Sequence, residues 1–221
     1  MTKEERLQKQ KERYQALTAF DEVRRKGGLI VAGIDEAGRG PLAGPVVAAC
    51  AVLPPDFDVL GVDDSKKLSE KKREELFGKI MEKALAIGIG IADNKTIDDI
   101  NILQATKRAM QDALKEADEK LREKTGRSID HVLLDAVTLE DICFPQENII
   151  KGDATSLSIA AASIIAKVTR DRMMLEYHLE YPSYGFDSNK GYGTKAHYEG
   201  IKKCGITPIH RKSFLKNLDF E

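Results

Sequence analysis

Four acidic residues lie at the ends of short hydrophobic runs, where their carboxylates could act together. Asp35 and Glu36 follow the run LIVAGI, and Asp135 follows the run HVLL. Asp153 stands where another predicted strand gives way to a long apolar segment. Functional groups in open α/β sheets gather beyond the ends of strands, so folding can bring these distant acids into one cluster.

Such a cluster would suit divalent metal ions. Neighbouring carboxylates repel one another, and a bound cation turns that repulsion into attraction. Mg²⁺ and Mn²⁺ prefer hard oxygen ligands, and two such ions roughly 4 Å apart can hold the attacking and the leaving oxygen of a phosphodiester. Each acid taken alone is better explained as a solvated turn or strand-end residue. The spacing of the four is therefore consistent with a metal site and does not name a reaction.

The composition restricts the class of protein and the kind of metal site. The chain has 221 residues, of which 42% are hydrophobic and 32% charged, as in an ordinary domain with a core. No apolar run reaches the ~20 residues of a membrane helix, and the polar N-terminus does not resemble a secretory signal, so we expect a cytoplasmic protein. Its three cysteines and four histidines lack the CxxC and HxxxH spacings. Any metal must therefore be held by oxygen ligands.

The formal net charge of -1 conceals an uneven distribution along the chain. Residues 1–27 and residues 160–221 each carry +3, whereas residues 28–159 carry -7. An acidic middle between basic ends fits a carboxylate metal site beside a phosphate-binding surface. A mixed, solvated surface explains the same charges, and charge alone favours that simpler explanation.

The hydrophobic pattern predicts alternating helices and strands. Residues 29–35 and 44–54 are predicted to form a hairpin around a glycine-rich turn. We predict helices over residues 2–26, 69–84, 96–124, 156–178 and 195–203, and further strands over residues 86–92, 131–136 and 147–153. This order predicts an α/β fold with a mixed β-sheet flanked by helices on both faces. We assign residues 1–27 to an N-terminal amphipathic helical extension and residues 28–221 to the main domain.

Several segments together resemble the ribonuclease HII family. The segment GIDEAGRGPLAGPVVAA (33–49) resembles the first motif of that family, and DDSKKLS (63–69) resembles the second. The remaining blocks follow in order as HVLLDA (131–136), KGDATSLSIAAASIIAKVTRDR (151–172) and YGFDSNKGYGTKAHYEGIKKCGITPIHRKSF (184–214). The resemblance covers residues 29–214, and an Asp-Glu-Ala-Gly-Arg-Gly run followed by all these blocks is very specific.

The resemblance implies a ribonuclease H-like fold for the main domain and hydrolysis of the RNA strand of RNA–DNA hybrids. It also implies incision 5′ to ribonucleotides embedded in duplex DNA, by two-metal-ion hydrolysis that leaves 3′-hydroxyl and 5′-phosphate ends. The cofactor would be Mn²⁺ or Mg²⁺, and we expect a monomer with neither a membrane nor an obligate protein partner. The catalytic and metal-binding carboxylates would be Asp35, Glu36, Asp135 and Asp153.

The resemblance further implies residues that hold the nucleic acid. The segment 38–40 would sense the 2′-hydroxyl through backbone groups, the segment 65–66 would hold phosphate, and a tyrosine would stack on the sugar at the RNA-to-DNA junction. The residues implied in these roles are Gly38, Arg39, Gly40, Ser65, Lys66 and Tyr192.

Elementary chemistry supports some of these roles independently. The 2′-hydroxyl distinguishes RNA from DNA at a given site, and glycine lets a backbone approach it closely. A tyrosine between Gly191 and Gly193 on a polar loop fits stacking on a sugar or base better than it fits a core. For Arg39, a phosphate contact and an exposed turn are equally good explanations. Lys167 and Arg170 of the late helix could line the duplex or extend their charged ends into solvent, and we predict the second arrangement.

Three other functions are compatible with parts of the pattern. Gly38, Gly40 and Gly44 approximate a dinucleotide-binding fingerprint, but Pro41 and the strand that follows do not suit it. Another nuclease of the same broad fold, such as a resolvase, would share the acids without the glycine and tyrosine loops. A hybrid-binding protein without catalysis would leave the repulsion between the acids unexplained.

Overall fold

A computed structural model of the chain describes residues 2–216. Met1, in the predicted N-terminal extension, and residues 217–221, in the predicted main domain, lie outside the described part. In this part the strands are β1 (Val31–Ala37), β2 (Val46–Val52), β3 (Ala86–Ala92), β4 (His131–Asp135) and β5 (Gln146–Ile149). The helices are α1 (Lys3–Arg24), α2 (Glu70–Lys83), α3 (Asn94–Thr125), α4 (Leu157–Glu180), α5 (Phe186–Asn189), α6 (Lys195–Cys204) and α7 (Lys212–Leu215).

The described strands form one mixed sheet in the order β3-β2-β1-β4-β5. The strands β1 and β2 pair antiparallel, as the predicted hairpin requires, and β3 continues this antiparallel part. On the other side, β4 pairs parallel with β1, and β5 pairs parallel with β4. The mixed sheet expected from the sequence is therefore confirmed.

The two long helices α3 and α4 cover opposite faces of the sheet. Along β2, Val46, Ala48 and Cys50 lie in one apolar cluster with α3, whereas Ala49 and Ala51 lie in another with α4. This alternation follows from the two-residue period of a strand. Burial on both faces explains why β2 is apolar at every position.

Glycines let both helices approach the sheet closely. A Cβ atom on Gly90 would come within 1.9 Å of the carbonyl oxygen of Ala109 in α3. A Cβ atom on Gly33 of β1 would come within 2.2 Å of the carbonyl carbon of Ser158, at the start of α4. A helix backbone therefore lies directly against glycines of both β3 and β1.

The helix α1 is held to the start of α4 by a buried carboxylate. Asp21 accepts hydrogen bonds from the hydroxyl of Ser156 at 2.6 Å and from the backbone N–H of Ser158 at 2.8 Å. Leu17, one turn earlier on α1, is fully buried. These contacts join α1 to the helix that covers the sheet, and the division at residue 27 stays a prediction.

Three segments differ from the elements expected from the sequence. The strand predicted to reach Asp153 ends at Ile149, because Lys151 has a left-handed φ of 58° and a 3₁₀ turn follows over Gly152–Ala154. Two short helices, α5 and α7, were not among the helices predicted from the sequence. No described helix is both long and apolar enough to cross a bilayer.

Candidate active site

Two of the acids meet because of the register between two parallel strands. Ile34 of β1 lies beside Leu134 of β4, so the next residues, Asp35 and Asp135, lie side by side toward the carboxyl ends of these two strands. The preceding residues Ile34 and Leu134 both lie in the cluster on the α3 face. Side chains alternate along a strand, so both aspartates are directed to the face that α4 covers.

The third acid comes from the turn that leads into α4. Asp153 lies in the 3₁₀ turn Gly152–Ala154, and the backbone N–H of Gly152 donates to Oδ1 of Asp135 at 2.8 Å. One carboxylate oxygen from each of Asp35, Asp135 and Asp153 lies within 4.8 Å of the others. Acids from three separate elements therefore form one cluster.

Glu36 lies beside this cluster rather than in it. It borders the same cavity as Asp35, and burial raises its pKa, to which the charge of Asp135 adds. Its Oε1 lies 3.4 Å from the guanidinium of Arg39. Its Oε2 is buried and has no hydrogen-bond partner among the described residues. A buried carboxylate oxygen without a partner is costly, and a cation or a water bound to a cation would satisfy it.

Burial and mutual repulsion both disfavour the ionised form of these acids. Burial raises the pKa of Asp35 well above its usual range, and the charges of Glu36 and Asp135 add to this. Burial likewise raises the pKa of Asp153, and the charge of Asp64 adds to it. Buried hard oxygen donors that repel one another are a suitable ligand set for a divalent cation.

The segment 63–69 supplies a further acid and a lysine. Lys66 Nζ lies 3.5 Å from Asp153 Oδ2. Burial would lower the pKa of Lys66, but the charges of Asp153 and Asp35 outweigh burial and raise it. Asp64, which accepts a hydrogen bond from the backbone N–H of Lys66 at 3.0 Å, was missed as a site residue. Its signal in the sequence was the paired acids that begin DDSKKLS.

The six residues expected to hold nucleic acid border one cavity of about 180 Å³, together with Asp35 and Glu36. Tyr192 is 47% exposed, and a Cβ atom built on Gly40 would lie 3.5 Å from its ring atom Cε1, so the ring faces the glycine loop. Ser65 is buried, whereas the side chain of Lys66 is 77% exposed. The fold thus brings together the glycine loop, the tyrosine loop and the lysine turn.

Two buried arginines hold the loops around this cavity through backbone carbonyls. Arg211, which is fully buried, donates to the carbonyl oxygens of Gly38 at 2.6 Å, Arg39 at 2.9 Å and Gly44 at 2.9 Å. Burial lowers its pKa to about 9, and the charge of Arg170 contributes. The sequence did not indicate this role, because the tail containing Arg211 has no periodic pattern.

The prediction for Arg170 was wrong. Its side chain is buried instead of extending into solvent, and it donates to the carbonyl oxygens of Pro45 at 2.9 Å, Ala43 at 3.1 Å and Lys190 at 2.9 Å. These bonds join the segment after the glycine loop to the loop of Tyr192. The guanidinium is satisfied inside the protein, so it has no need of solvent. Lys167 instead pairs with Asp171 at 2.6 Å.

A pair of buried histidines supports the tyrosine loop. His197 Nδ1 lies 3.0 Å from the carbonyl oxygen of Tyr192, and its Nε2 lies 3.0 Å from Nε2 of His210. The backbone N–H of Thr207 donates to Nδ1 of His210 at 2.9 Å. A neutral pair satisfies every contact when His210 donates to His197 and His197 donates to the carbonyl. Burial lowers the pKa of both rings, that of His210 to about 4.

Known proteins share both the sequence and the fold. A family model described as Ribonuclease HII matches residues 32–217. Ribonuclease HII of Ruminiclostridium cellulolyticum is 55% identical over 207 residues, which are 93% of this chain and 78% of that protein. Ribonuclease HII of Clostridioides difficile is 54% identical over 213 residues, or 96% of this chain and 80% of that protein.

Among solved structures, ribonuclease H2 of Pyrococcus horikoshii OT3 superposes with a TM-score of 0.67 at 27% identity, over 84% of this chain and 93% of that one. The matched family region contains every residue that borders the cavity and all three acids of the cluster. The chain therefore belongs to the ribonuclease HII family of ribonuclease H endonucleases.

Proposed function

We propose that the chain hydrolyses the RNA strand of RNA–DNA hybrids and incises 5′ to ribonucleotides embedded in duplex DNA. One observation carries this proposal. The oxygens of Asp35, Asp135 and Asp153 lie within 4.8 Å of one another, and the cavity that adjoins Asp35 is bordered by a glycine loop. Backbone groups next to a hydrolytic centre can form hydrogen bonds with a 2′-hydroxyl, which restricts cleavage to sites where RNA is present.

The proposed metal ligands are the carboxylates of Asp35, Glu36, Asp135 and Asp153. Two divalent cations, Mn²⁺ or Mg²⁺, would supply an activated water and stabilise the departing 3′ oxygen, which gives 3′-hydroxyl and 5′-phosphate products. The unpartnered Oε2 of Glu36 and the repulsion at Asp35 support this ligand set. Lys66, held 3.5 Å from Asp153, would keep its charge near an incoming phosphate.

The proposed sensor of the 2′-hydroxyl is the backbone of Gly38, Arg39 and Gly40. Arg211 binds the carbonyl oxygens of Gly38 and Arg39 from inside the protein, which fixes the loop before substrate arrives. Preorganised polar groups of this kind do not have to be ordered during the reaction. Tyr192, which faces Gly40, would stack on the sugar next to the sensed ribonucleotide.

The remaining nucleic-acid contacts are proposed from exposure and charge. Lys66 is exposed on the cavity rim and would bind phosphate, with Ser65 beside it. Arg39 is 43% exposed at its side chain and could exchange Glu36 for a phosphate when the acids bind metal. The proposed active species is a monomer, because one chain supplies all the acids. The three cysteines are free thiols, in agreement with the proposed cytoplasmic location.

The experiment that tests this function uses a labelled DNA duplex with one ribonucleotide. With Mn²⁺ or Mg²⁺ we expect a single incision on the 5′ side of the ribonucleotide, with 3′-hydroxyl and 5′-phosphate ends. An all-DNA duplex of the same sequence and a four-way DNA junction are the controls. Cutting of the junction, or incision of the ribonucleotide duplex in excess chelator, would contradict the proposal.

A further inference from the structure

A row of basic side chains runs from the acid cluster onto α1. Lys66 lies next to Asp153, and the following residue, Lys67, has its Nζ 3.9 Å from Oδ1 of Asp63. The same oxygen of Asp63 lies 2.7 Å from Nη2 of Arg13 on α1. That nitrogen also donates to the carbonyl oxygen of Ala154, directly after Asp153, at 3.0 Å. Direct contacts therefore connect α1 to the rim of the candidate active site.

Beyond Arg13 the row continues along a cavity of about 360 Å³ between α1 and the segment 61–68. Arg6, Lys9 and Arg13 line this cavity, and Asp63 is the acid in its lining. Their spacing of three and four residues places the three cations on one side of the helix. Arg6 and Lys9 are exposed to solvent.

We propose that this basic track, formed by Lys66, Lys67, Arg13, Lys9 and Arg6, binds the sugar–phosphate backbone of the duplex beyond the scissile phosphate. The proposal rests on the proposed function, because it assumes that a duplex lies at the acids. Two observations select a nucleic acid as the occupant. Three of the eight residues that line the cavity are cations and one is an acid. The segment 61–68 is also shared between this cavity and the turn that holds Lys66 beside Asp153.

The dimensions of the track also suit a nucleic-acid backbone. Seven residues of helix separate Arg6 from Arg13, which corresponds to a rise of roughly 10 Å. One DNA strand advances by the same length in about three nucleotides at 3.4 Å each. The track would thus follow a short stretch of one strand, and α1 would be part of the binding surface rather than an appendage.

The test measures how the affinity for duplex depends on salt. A fluorescent duplex with one ribonucleotide is titrated with the full chain in excess EDTA, so that no cleavage occurs, between 50 and 200 mM salt (roughly the range over which phosphate contacts dominate). In the variant Arg6→Gln/Lys9→Gln we expect several-fold weaker binding at the lowest salt. The slope of log Kd against log salt should become flatter by roughly 1 to 2, because about 0.9 is lost with each phosphate contact.

The matched control is Lys11→Gln/Lys115→Gln, which removes the same charge from an exposed position on α1 outside the cavity lining and from α3 on the opposite face of the sheet. We expect this control to retain the wild-type slope. In turnover, the test variant should raise KM and leave kcat unchanged. Unfolding curves of all variants establish that they fold. If the double variant does not fold, Lys9→Gln alone replaces it in the binding test.

Two failures would be distinguishable. A test variant that cuts the duplex and keeps the wild-type affinity and salt slope would overturn the binding role of α1 and leave the proposed function intact. An equal loss of slope in the control would also overturn it, because the effect would then reflect net charge alone. A wild-type chain that neither binds nor cuts the ribonucleotide duplex would overturn the proposed function itself.

Discussion

Gly38 and Gly40 lie in the same loop but are constrained in different ways. Gly38 has a left-handed φ of 98°, and a Cβ atom there would come within 2.0 Å of Nε of Arg170. At Gly40 there is room for a side chain, because a Cβ atom built there would lie 3.5 Å from its nearest neighbour, Cε1 of Tyr192. The protein fold therefore requires glycine at position 38, whereas at position 40 the proposed substrate would require it.

We expect Gly40→Ala to separate stability from activity. The free energy of unfolding should stay within roughly 0.5 kcal/mol of wild type, because the methyl group meets no close neighbour. Incision at a single ribonucleotide should fall at least tenfold, since the methyl group would keep the backbone away from the 2′-hydroxyl. Gly38→Ala is the contrasting variant and should lose about 1–3 kcal/mol of stability through backbone strain and the contact with Arg170. Wild-type incision by Gly40→Ala would contradict the proposed sensor.

The exposed ring of Tyr192 gives a second prediction for a single residue. Removing it in Tyr192→Ala should slow incision at one embedded ribonucleotide by raising the activation free energy about 1–3 kcal/mol, the size of a stacking contact. Stability should change little, because 47% of the residue is already exposed. Tyr192→Phe keeps the ring and should keep most of the rate. Equal rates for the Ala variant and wild type in single-turnover assays would exclude Tyr192 from the site.

Between elements, the histidine pair joins α6 to the tail before α7 and should make stability depend on pH. Burial and the charge of His197 lower the pKa of His210 to about 4, below the value of about 6.5 in an unfolded chain. The unfolded chain therefore binds more protons than the folded one between pH 6.5 and 4, and stability is lost as the pH falls through this window. The loss should be on the order of 3 kcal/mol.

Urea unfolding of the wild type and of His210→Gln at several pH values measures this contribution. The acid cluster titrates in both proteins, so the difference between their slopes isolates the histidine pair. We expect the free energy of unfolding of the variant to fall less steeply between pH 7 and pH 5. Parallel pH dependences would show that the pair does not stay neutral in the folded protein.

The strands could be predicted because they are short apolar runs, and the helices because their apolar residues repeat with the helical period. The loops that hold the site could not, since their contacts depend on distant backbone. Arg211 and Arg170 are satisfied by carbonyl oxygens of residues 38–45 and 190, and no local pattern shows that such carbonyls are available. Asp153 was placed correctly between a strand and α4, but the 3₁₀ turn that carries it depends on the left-handed Lys151.

At the scale of the whole molecule, the acids were the most predictable part of the site. Because β1 and β4 pair in parallel with Ile34 opposite Leu134, Asp35 of β1 lies beside Asp135, the last residue of β4. Glu36 borders the same cavity as Asp35 but lies outside the group of three acids. The basic track on α1 was beyond reach, because the charge of residues 1–27 does not reveal which elements the helix adjoins.

The whole fold holds buried acids whose repulsion opposes folding until a cation binds. Thermal unfolding of the wild type, Asp35→Asn and a control variant tests this most directly. In excess chelator, Asp35→Asn should melt at a higher temperature than wild type, because one repelling charge is gone. Added Mn²⁺ should raise the melting temperature of wild type and of the control Asp112→Asn, an exposed acid on α3, but not that of Asp35→Asn. An equal Mn²⁺-dependent rise in Asp35→Asn would contradict the account.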